Sequence, residues 1–335
     1  MLSGFILTHV YGQSLQKTKP GDIYNYLVHR IARVYPLHVF VLGLLIVFEC
    51  IRWFIAQHTT AELHHPIFSG STSLKYIPSN LLLIQAWGIH HVNSWNDPAW
   101  SVSAEFACYL IFPWIISSGI TRSVRSALLL VLFSCCGLLW IQLTRHTFDV
   151  TYDLGAPRAF FSFSIGCVVR QYLPQLRDLV SRVPVTLVQL ATLSAIVFLF
   201  AWSGAKGIYF IPLWVLLIVS LTFENTRVSR ALSWGPLVKL GDISYSIYLM
   251  HILLLWIFLL VRDLFPDFVA PLLALPPILT LTFFLVVTTT VSWFTYHYVE
   301  NPGRRFIRNR FGRKRSPVSA VVTAPTTEAR STQAP

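Results

Sequence analysis

Carboxylates are scarce in this sequence. Asp and Glu together number 14 in 335 residues, against 26 Lys and Arg. Charged residues of either sign make up only 12%, too little polar surface for a soluble domain of this size. Cysteine is sparse too. Cys50, Cys108, Cys135, Cys136 and Cys167 all fall in apolar stretches with no C-x-x-C spacing, so they read as small packing residues. No internal repeat and no soluble domain is legible. The start lacks the basic flank and A-x-A site of a signal peptide.

What is present in quantity is apolar: 54% of residues, with a mean hydropathy of +0.59. Eleven Trp and 13 Tyr suit the aromatic belts of membrane proteins. The chain therefore reads as all-α, a polytopic integral membrane helix bundle. A helix needs about 20 apolar residues to cross the hydrocarbon core. Residues 37–56, 98–118, 124–144, 157–174, 184–202, 207–223, 242–262 and 276–298 meet that need. Residues 1–12 give a shorter ninth segment, about 15 Å of helix against a core of about 30 Å. The run "IPSNLLLIQAWGI" (77–89) is too short to span and reads as re-entrant or interfacial. Residues 1–310 form the membrane domain. Residues 311–335 finish a basic run and become a disordered tail rich in Ser, Thr, Pro and Ala.

The net charge of +12 raises the question of a nucleic-acid partner, which the distribution answers. With the links alternating across the membrane, 20 of the 26 Lys and Arg fall on one side, eight of them from Arg304 onward. That is the positive-inside pattern. It places the C-terminus in the cytoplasm and needs no nucleic acid.

Charged and polar groups inside such a bundle are costly and tend to be functional. In "NDPAWSVSAEFACYLIFP" (96–113), Asp97 is expected to cap a helix that opens at Pro98. Ser101, Glu105, Cys108 and Phe112 then share one face. In "GDISYSIYLMHILLL" (241–255), Asp242 is expected to cap, with Ser244, Tyr248 and His251 aligned. His251 suits proton transfer, although a structural histidine and a helix–helix hydrogen bond at Glu105 are the plain alternatives. Arg30 and Arg33 stand three apart just before Pro36 and face one way. Paired guanidinium groups suit phosphate or pyrophosphate, and plain anchoring is the alternative. Glu49 and Arg52 are expected to pair, and Arg158 to reach an interface. The doublets His64-His65 and His90-His91 lack the further ligands of a metal site, so no metal is expected.

These stretches, in this order, resemble the membrane acyltransferase-3 family. "LSGFILT" (2–8) is similar to its Ser-Gly-Phe motif and "HRIARVYPLH" (29–38) to its Arg-x-x-Arg motif. "PAWSVSAEFACYLIFP" (98–113) is similar to its Trp-Ser-x-x-x-Glu motif. "RAFFSFSIG" (158–166), "GDISYSIYLMH" (241–251) and "YHYVENPGRR" (296–305) resemble later signatures. The resemblance covers roughly residues 1–310. It implies a ten-helix bundle of a bacterial inner membrane. There an acyl group, often acetyl, passes from cytoplasmic acyl-CoA, a co-substrate and not a cofactor, to a hydroxyl of a carbohydrate or glycan-like acceptor. Arg30 and Arg33 would meet the phosphates of the donor. Glu105 and Tyr248 would orient groups in a central cavity and His251 would assist proton movement. Trp100, Ser101 and Arg158 would contact substrate near the acceptor side.

One departure stands out. The family's first helix carries an Arg or Lys and, eleven residues later, the His usually assigned as catalytic. Nothing here corresponds to it, and His9 lies at the cytoplasmic end of the wrong helix. Nine transmembrane segments are therefore expected, with Met1 an internal methionine and the chain as given inactive. A transporter or flippase of a glycan or lipid-linked precursor, or a non-catalytic remnant, are the competing classes.

Overall fold

The computed structural model describes residues 1–16, 19–59, 66–203 and 207–312. Residues 313–335, which hold nearly all of the expected tail, and the His64-His65 doublet lie outside them. Fourteen α-helices run in order among the described residues. They are α1 (Leu2–Gln16), α2 (Pro20–His58), α3 (Ile77–Leu81), α4 (Ala99–Ser117) and α5 (Val124–Arg145). Next come α6 (Gly155–Gln171), α7 (Leu173–Ser181), α8 (Val185–Ser203), α9 (Phe210–Leu221) and α10 (Arg227–Leu232). Last are α11 (Gly235–Leu264), α12 (Pro266–Leu273), α13 (Pro277–Thr295) and α14 (Asn301–Phe311). A π turn, Tyr296–Glu300, joins α13 to α14.

Six helical rods are long and apolar enough to cross a membrane: α2, α4, α5, α8, α11 and the rod Pro277–Phe311. The other three expected segments are α1, α6 and α9, of 15, 17 and 12 residues. The protein is an all-α integral membrane bundle. Its sides carry exposed leucine and phenylalanine, such as Leu128, Leu132, Phe133 and Leu143 on α5. In water such a surface would aggregate, and in lipid it is solvated.

The inside is a core of α1, α2, α4, α6 and α11 residues, with Leu37, Leu45, Phe112 and Leu249 fully buried. Glycine sets its closest approaches. A Cβ on Gly4 would lie 2.1 Å from the carbonyl oxygen of Phe163, and one on Gly166 would lie 2.0 Å from that of Met1. Thus α1 and α6 touch backbone to backbone, as small residues permit in membranes. Gly4→Leu is expected to cost about 3 kcal/mol by overpacking and to deplete the monodisperse peak in detergent size-exclusion chromatography. A third contact sits at Pro36, where a Cβ on Gly303 of α14 would come within 2.5 Å of the proline ring.

Three expected boundaries are corrected. First, α2 passes through Pro36 as one 39-residue helix instead of starting there. The proline leaves one i→i−4 bond of α2 unmade, and α14 packs on α2 at this point. Second, Asp97 does not cap α4: the helix starts at Ala99 without a side-chain cap, and its first N–H groups reach the carbonyls of Asn96, Asp97 and Pro98. Third, Asp242 does not cap α11, which begins at Gly235 with Pro236 in its first turn. Asp242 is exposed in mid-helix.

The 77–89 run forms only the short α3 and then folds as a non-helical plug against α4. Ser103 donates to the Leu83 carbonyl at 2.8 Å and receives the Ala86 N–H at 3.1 Å, while Gln85 donates to the Ala99 carbonyl at 3.2 Å. These bonds satisfy backbone that lipid could not.

Candidate active site

Two ends of the bundle can be told apart. At one, the basic end, lie the starts of α2 and α11, the ends of α4 and α6, and α14. The far end holds the start of α4, the plug and the loop before α6. Between them α4 presents Ser101, Glu105 and Tyr109, spaced by four residues and so about 6 Å apart along one face. The opposing helix, α11, runs the other way and offers Tyr248 and then Tyr245. The polar groups form a column with three levels.

At the far-end level, the Tyr248 hydroxyl donates to the Pro98 carbonyl at 2.8 Å and lies 2.7 Å from Ser101 Oγ. The His251 ring sits 6.0 Å from the Tyr248 ring. The Arg158 guanidinium lies over the Trp100 ring, 4.8 Å from its centroid, and also donates to the Phe148 carbonyl. Gly155 leaves room for that indole, since a Cβ there would come within 3.2 Å of it. Of the expected alignment, Tyr248 and His251 come together. Ser244 does not join them: it is exposed and bonds to the Gly241 carbonyl of its own helix.

At the middle level, Glu105 accepts a hydrogen bond from Ser3 of α1. Tyr109 and Tyr245 both lie within its electrostatic reach. Cys108 and Phe112, expected on the same face, are buried in the core and do not line the column.

The basic level is the most charged. Arg30 lies between two tyrosine rings, 5.2 Å from the Tyr11 centroid and 5.6 Å from that of Tyr109. It donates to the Tyr11 hydroxyl at 3.1 Å. Arg33 instead turns towards α11 and α14, over the Tyr245 ring at 5.7 Å, and donates to Glu300 at 2.9 Å. Glu300 is fully buried and also receives Arg304 at 2.5 Å and Ser246 at 2.8 Å. The two arginines of the Arg-x-x-Arg motif are therefore not a free pair facing one way, which corrects the sequence expectation. One points at α1 and α4, and the other is held by a carboxylate 267 residues away.

The balance at this level is three guanidinium groups against one carboxylate, an excess of two positive charges. The Nε groups of Arg30 and Arg304 are buried and have no hydrogen-bond partner. Buried donors of this kind are met by a ligand or an ordered water. Phosphate oxygens fit both the charge and the donor geometry.

Sequence reasoning missed Tyr11, Tyr109, Tyr245, Glu300 and Arg304. Two signals were available. Tyr109 continues the Ser101–Glu105 spacing by one more turn. Glu300 is a carboxylate inside a membrane signature, where acids are rare.

The remaining candidates have other surroundings. Glu49 and Arg52 pair as expected, and Glu49 also receives the Phe68 N–H at 2.9 Å, pinning the loop above α2. His90 lies 2.7 Å from Ser79 Oγ and against the Tyr76 ring. Burial holds its pKa below the usual imidazole range. No cluster of three metal-binding side chains occurs among the described residues.

Comparison with known proteins bears on this arrangement. The family model described as "Acyltransferase domain" matches residues 1–297. YrhL of Bacillus subtilis (strain 168), named provisionally as a peptidoglycan O-acetyltransferase, is 25% identical over 91% of this chain and 49% of its own length. O-acetyltransferase OatA of Staphylococcus aureus (strain NCTC 8325 / PS 47) is 22% identical over 75% of this chain and 44% of its own. Acyltransferase MdmB of Streptomyces mycarofaciens is 29% identical over 34% of this chain and 25% of its own. The chain thus spans about half or less of the length of these relatives. No solved structure matches it. The family match runs from α1 through α13 and takes in Arg30, Arg33, Ser101, Glu105, Tyr109, Tyr245, Tyr248 and His251 of the polar column, so the chain belongs to the acyltransferase-3 family.

Proposed function

We propose that this protein is a membrane-bound O-acyltransferase. It moves an acyl group, acetyl in the reading we favour, from acyl-CoA to a hydroxyl of a carbohydrate or glycan-like acceptor. The observation that carries the proposal is the polar column itself. It joins a cationic cluster with unpaired buried donors to a Ser–Tyr–His–Trp–Arg cluster across the bundle. Relatives named for O-acetyl transfer, one of them to peptidoglycan, support an acceptor of the glycan class. The excess of basic residues at one end supports a cytoplasmic C-terminus in a bacterial inner membrane.

In this reading acyl-CoA is a substrate and the protein's own side chains do the work. Arg30 and Arg33 hold donor phosphates at the basic end. The acceptor hydroxyl attacks the thioester carbonyl, its proton leaves to a base, and the departing thiolate of CoA takes up a proton. Glu105 accepts hydrogen bonds in mid-column and orients the reacting groups. Tyr248 and Ser101 position the acceptor, His251 relays the proton, and Trp100 with Arg158 walls the acceptor side. Trp and Arg stacking suits the face of a sugar ring.

The test is transfer of radiolabelled acetyl from acetyl-CoA in membranes carrying the protein, expressed from its full genomic reading frame. Acceptor-linked label that depends on acetyl-CoA is expected. Acceptor moved across the membrane with no label attached would mark a transporter and end the proposal. Arg30→Ala is expected to raise KM for acetyl-CoA about tenfold, the worth of one charge-assisted hydrogen bond, with kcat changed less.

A further inference from the structure

Behind α1, away from Arg30, lies a cavity of about 230 Å³. Its wall includes His9, Gln13, Gln16, Arg122, Arg170 and Gln171, and among the described residues no carboxylate lines it. Arg170 is held in place: its Nε and Nη2 both donate to His9 Nδ1, at 3.1 and 2.9 Å. Both contacts use the same ring nitrogen, so the guanidinium is held at two of its donors. The buried Thr121 and the exposed Arg122 close the opposite side. The carbonyl ends of α1 and α6 point this way and disfavour an anion. Two guanidinium groups outweigh them, and α7 begins at the rim, with Pro174 as its second residue.

We propose that this cavity is a phosphate-monoester site that takes the 3′-phosphate of the CoA donor. The assignment rests on the acyl-CoA reading above. CoA carries two separate phosphate groups, a pyrophosphate and a ribose 3′-phosphate, and the basic end offers two separate groups of arginines, Arg30 with Arg33 and Arg122 with Arg170. Tyr11 of α1 serves the Arg30 side, while His9 and Gln13 serve this one. The two groups therefore lie on opposite sides of one helix, about 10 Å apart. A nucleotide bearing both groups bridges that span across the end of α1. The pyrophosphate belongs on the Arg30–Arg33 side, where the buried Nε groups wait, and the monoester belongs here, where the cavity is open to solvent. The site would make the enzyme distinguish CoA from its 3′-dephospho form, a choice that the Arg30–Arg33 cluster has no means of making.

Two measurements test this. The first is binding of adenosine 3′,5′-bisphosphate and of adenosine 5′-monophosphate to the purified full-length protein, in nanodiscs of phosphatidylcholine or phosphatidylglycerol. The bisphosphate is expected to bind about ten- to hundredfold more tightly. Arg122→Ala and Arg170→Ala should each bring that ratio towards one. The Arg122 side chain is exposed and its backbone bond from Tyr172 survives the substitution, so its variant answers even where loss of the Arg170–His9 contact perturbs folding. The second is the kcat/KM ratio of acetyl-CoA to acetyl-3′-dephospho-CoA, expected to collapse in the same variants. Equal binding of both nucleotides by the unaltered protein would overturn the site. So would arginine variants that keep the ratio, or arginine-dependent binding of phosphatidylglycerol without nucleotide discrimination, which would assign the cavity to a lipid headgroup. Discrimination in binding with no acyl transfer would support the site and count against the reaction. Acyl transfer without discrimination would do the reverse.

Discussion

Glu105→Gln is expected to lower acetyl transfer by about 10²-fold or more while the protein reaches the membrane at its normal level. Glutamine keeps the shape of the side chain and one acceptor oxygen, so the bond from Ser3 can persist and helix packing is undisturbed. What goes is the negative charge at mid-column. Glu105 is half-buried and stands between the cluster at Tyr248 and the one at Arg30. In the proposed reaction its charge aligns the acceptor hydroxyl and steadies positive charge that develops as the proton moves. Membrane transfer assays with matched immunoblots provide the check. Normal transfer at normal expression would reduce Glu105 to a partner for Ser3.

The second large effect concerns Glu300. Glu300→Ala is expected to destabilise the bundle by about 3 kcal/mol, the lower end of the range for breaking a buried ion pair. The lower end applies because the Arg33 side chain is 36% exposed and recovers some hydration, whereas Arg304 is at 24%. Two guanidinium groups and the Ser246 hydroxyl lose their shared acceptor at once. Glu300 ties α2, α11 and the π turn together, so the loss should appear as a lower melting temperature in detergent. It should also appear in function: Arg33 is freed from its carboxylate, and KM for acetyl-CoA should change along with stability. Glu300→Gln retains the Ser246 bond and should fall between the two. An unchanged melting temperature for the alanine variant would mean that the clamp contributes nothing.

Several of these groups could be read from the sequence. Ser101 and Glu105 lie on one helix, and a spacing of four places them on one face wherever that helix packs. The same holds for Tyr248 and His251. The meeting of Ser101 with Tyr248, 147 residues away, was not legible, because helical periodicity says nothing about which helix a face meets. Arg33 shows the limit more sharply. Its spacing from Arg30 is a local fact, yet 100° of turn per residue sends the two side chains to different neighbours once α1 and α14 take their places. The helix starts at Asp97 and Asp242 were misread for a related reason. A capping residue marks a helix end only where the backbone stops, and in α11 the apolar run simply continues upstream of it.

The class of this protein followed from the sequence alone. A 20-residue apolar stretch has few options in lipid, since each backbone N–H must bond within its own helix, and that constraint is local. The orientation signal is equally local, a count of Lys and Arg in the links. The order of helices around the column was decided by tertiary structure. It depends on where backbones can touch, as Gly4 does at Phe163 and Gly303 at Pro36. It depends also on where a buried charge finds its partner, as Arg33 does in Glu300. Those contacts join residues far apart in the chain, and only packed helices bring them within reach.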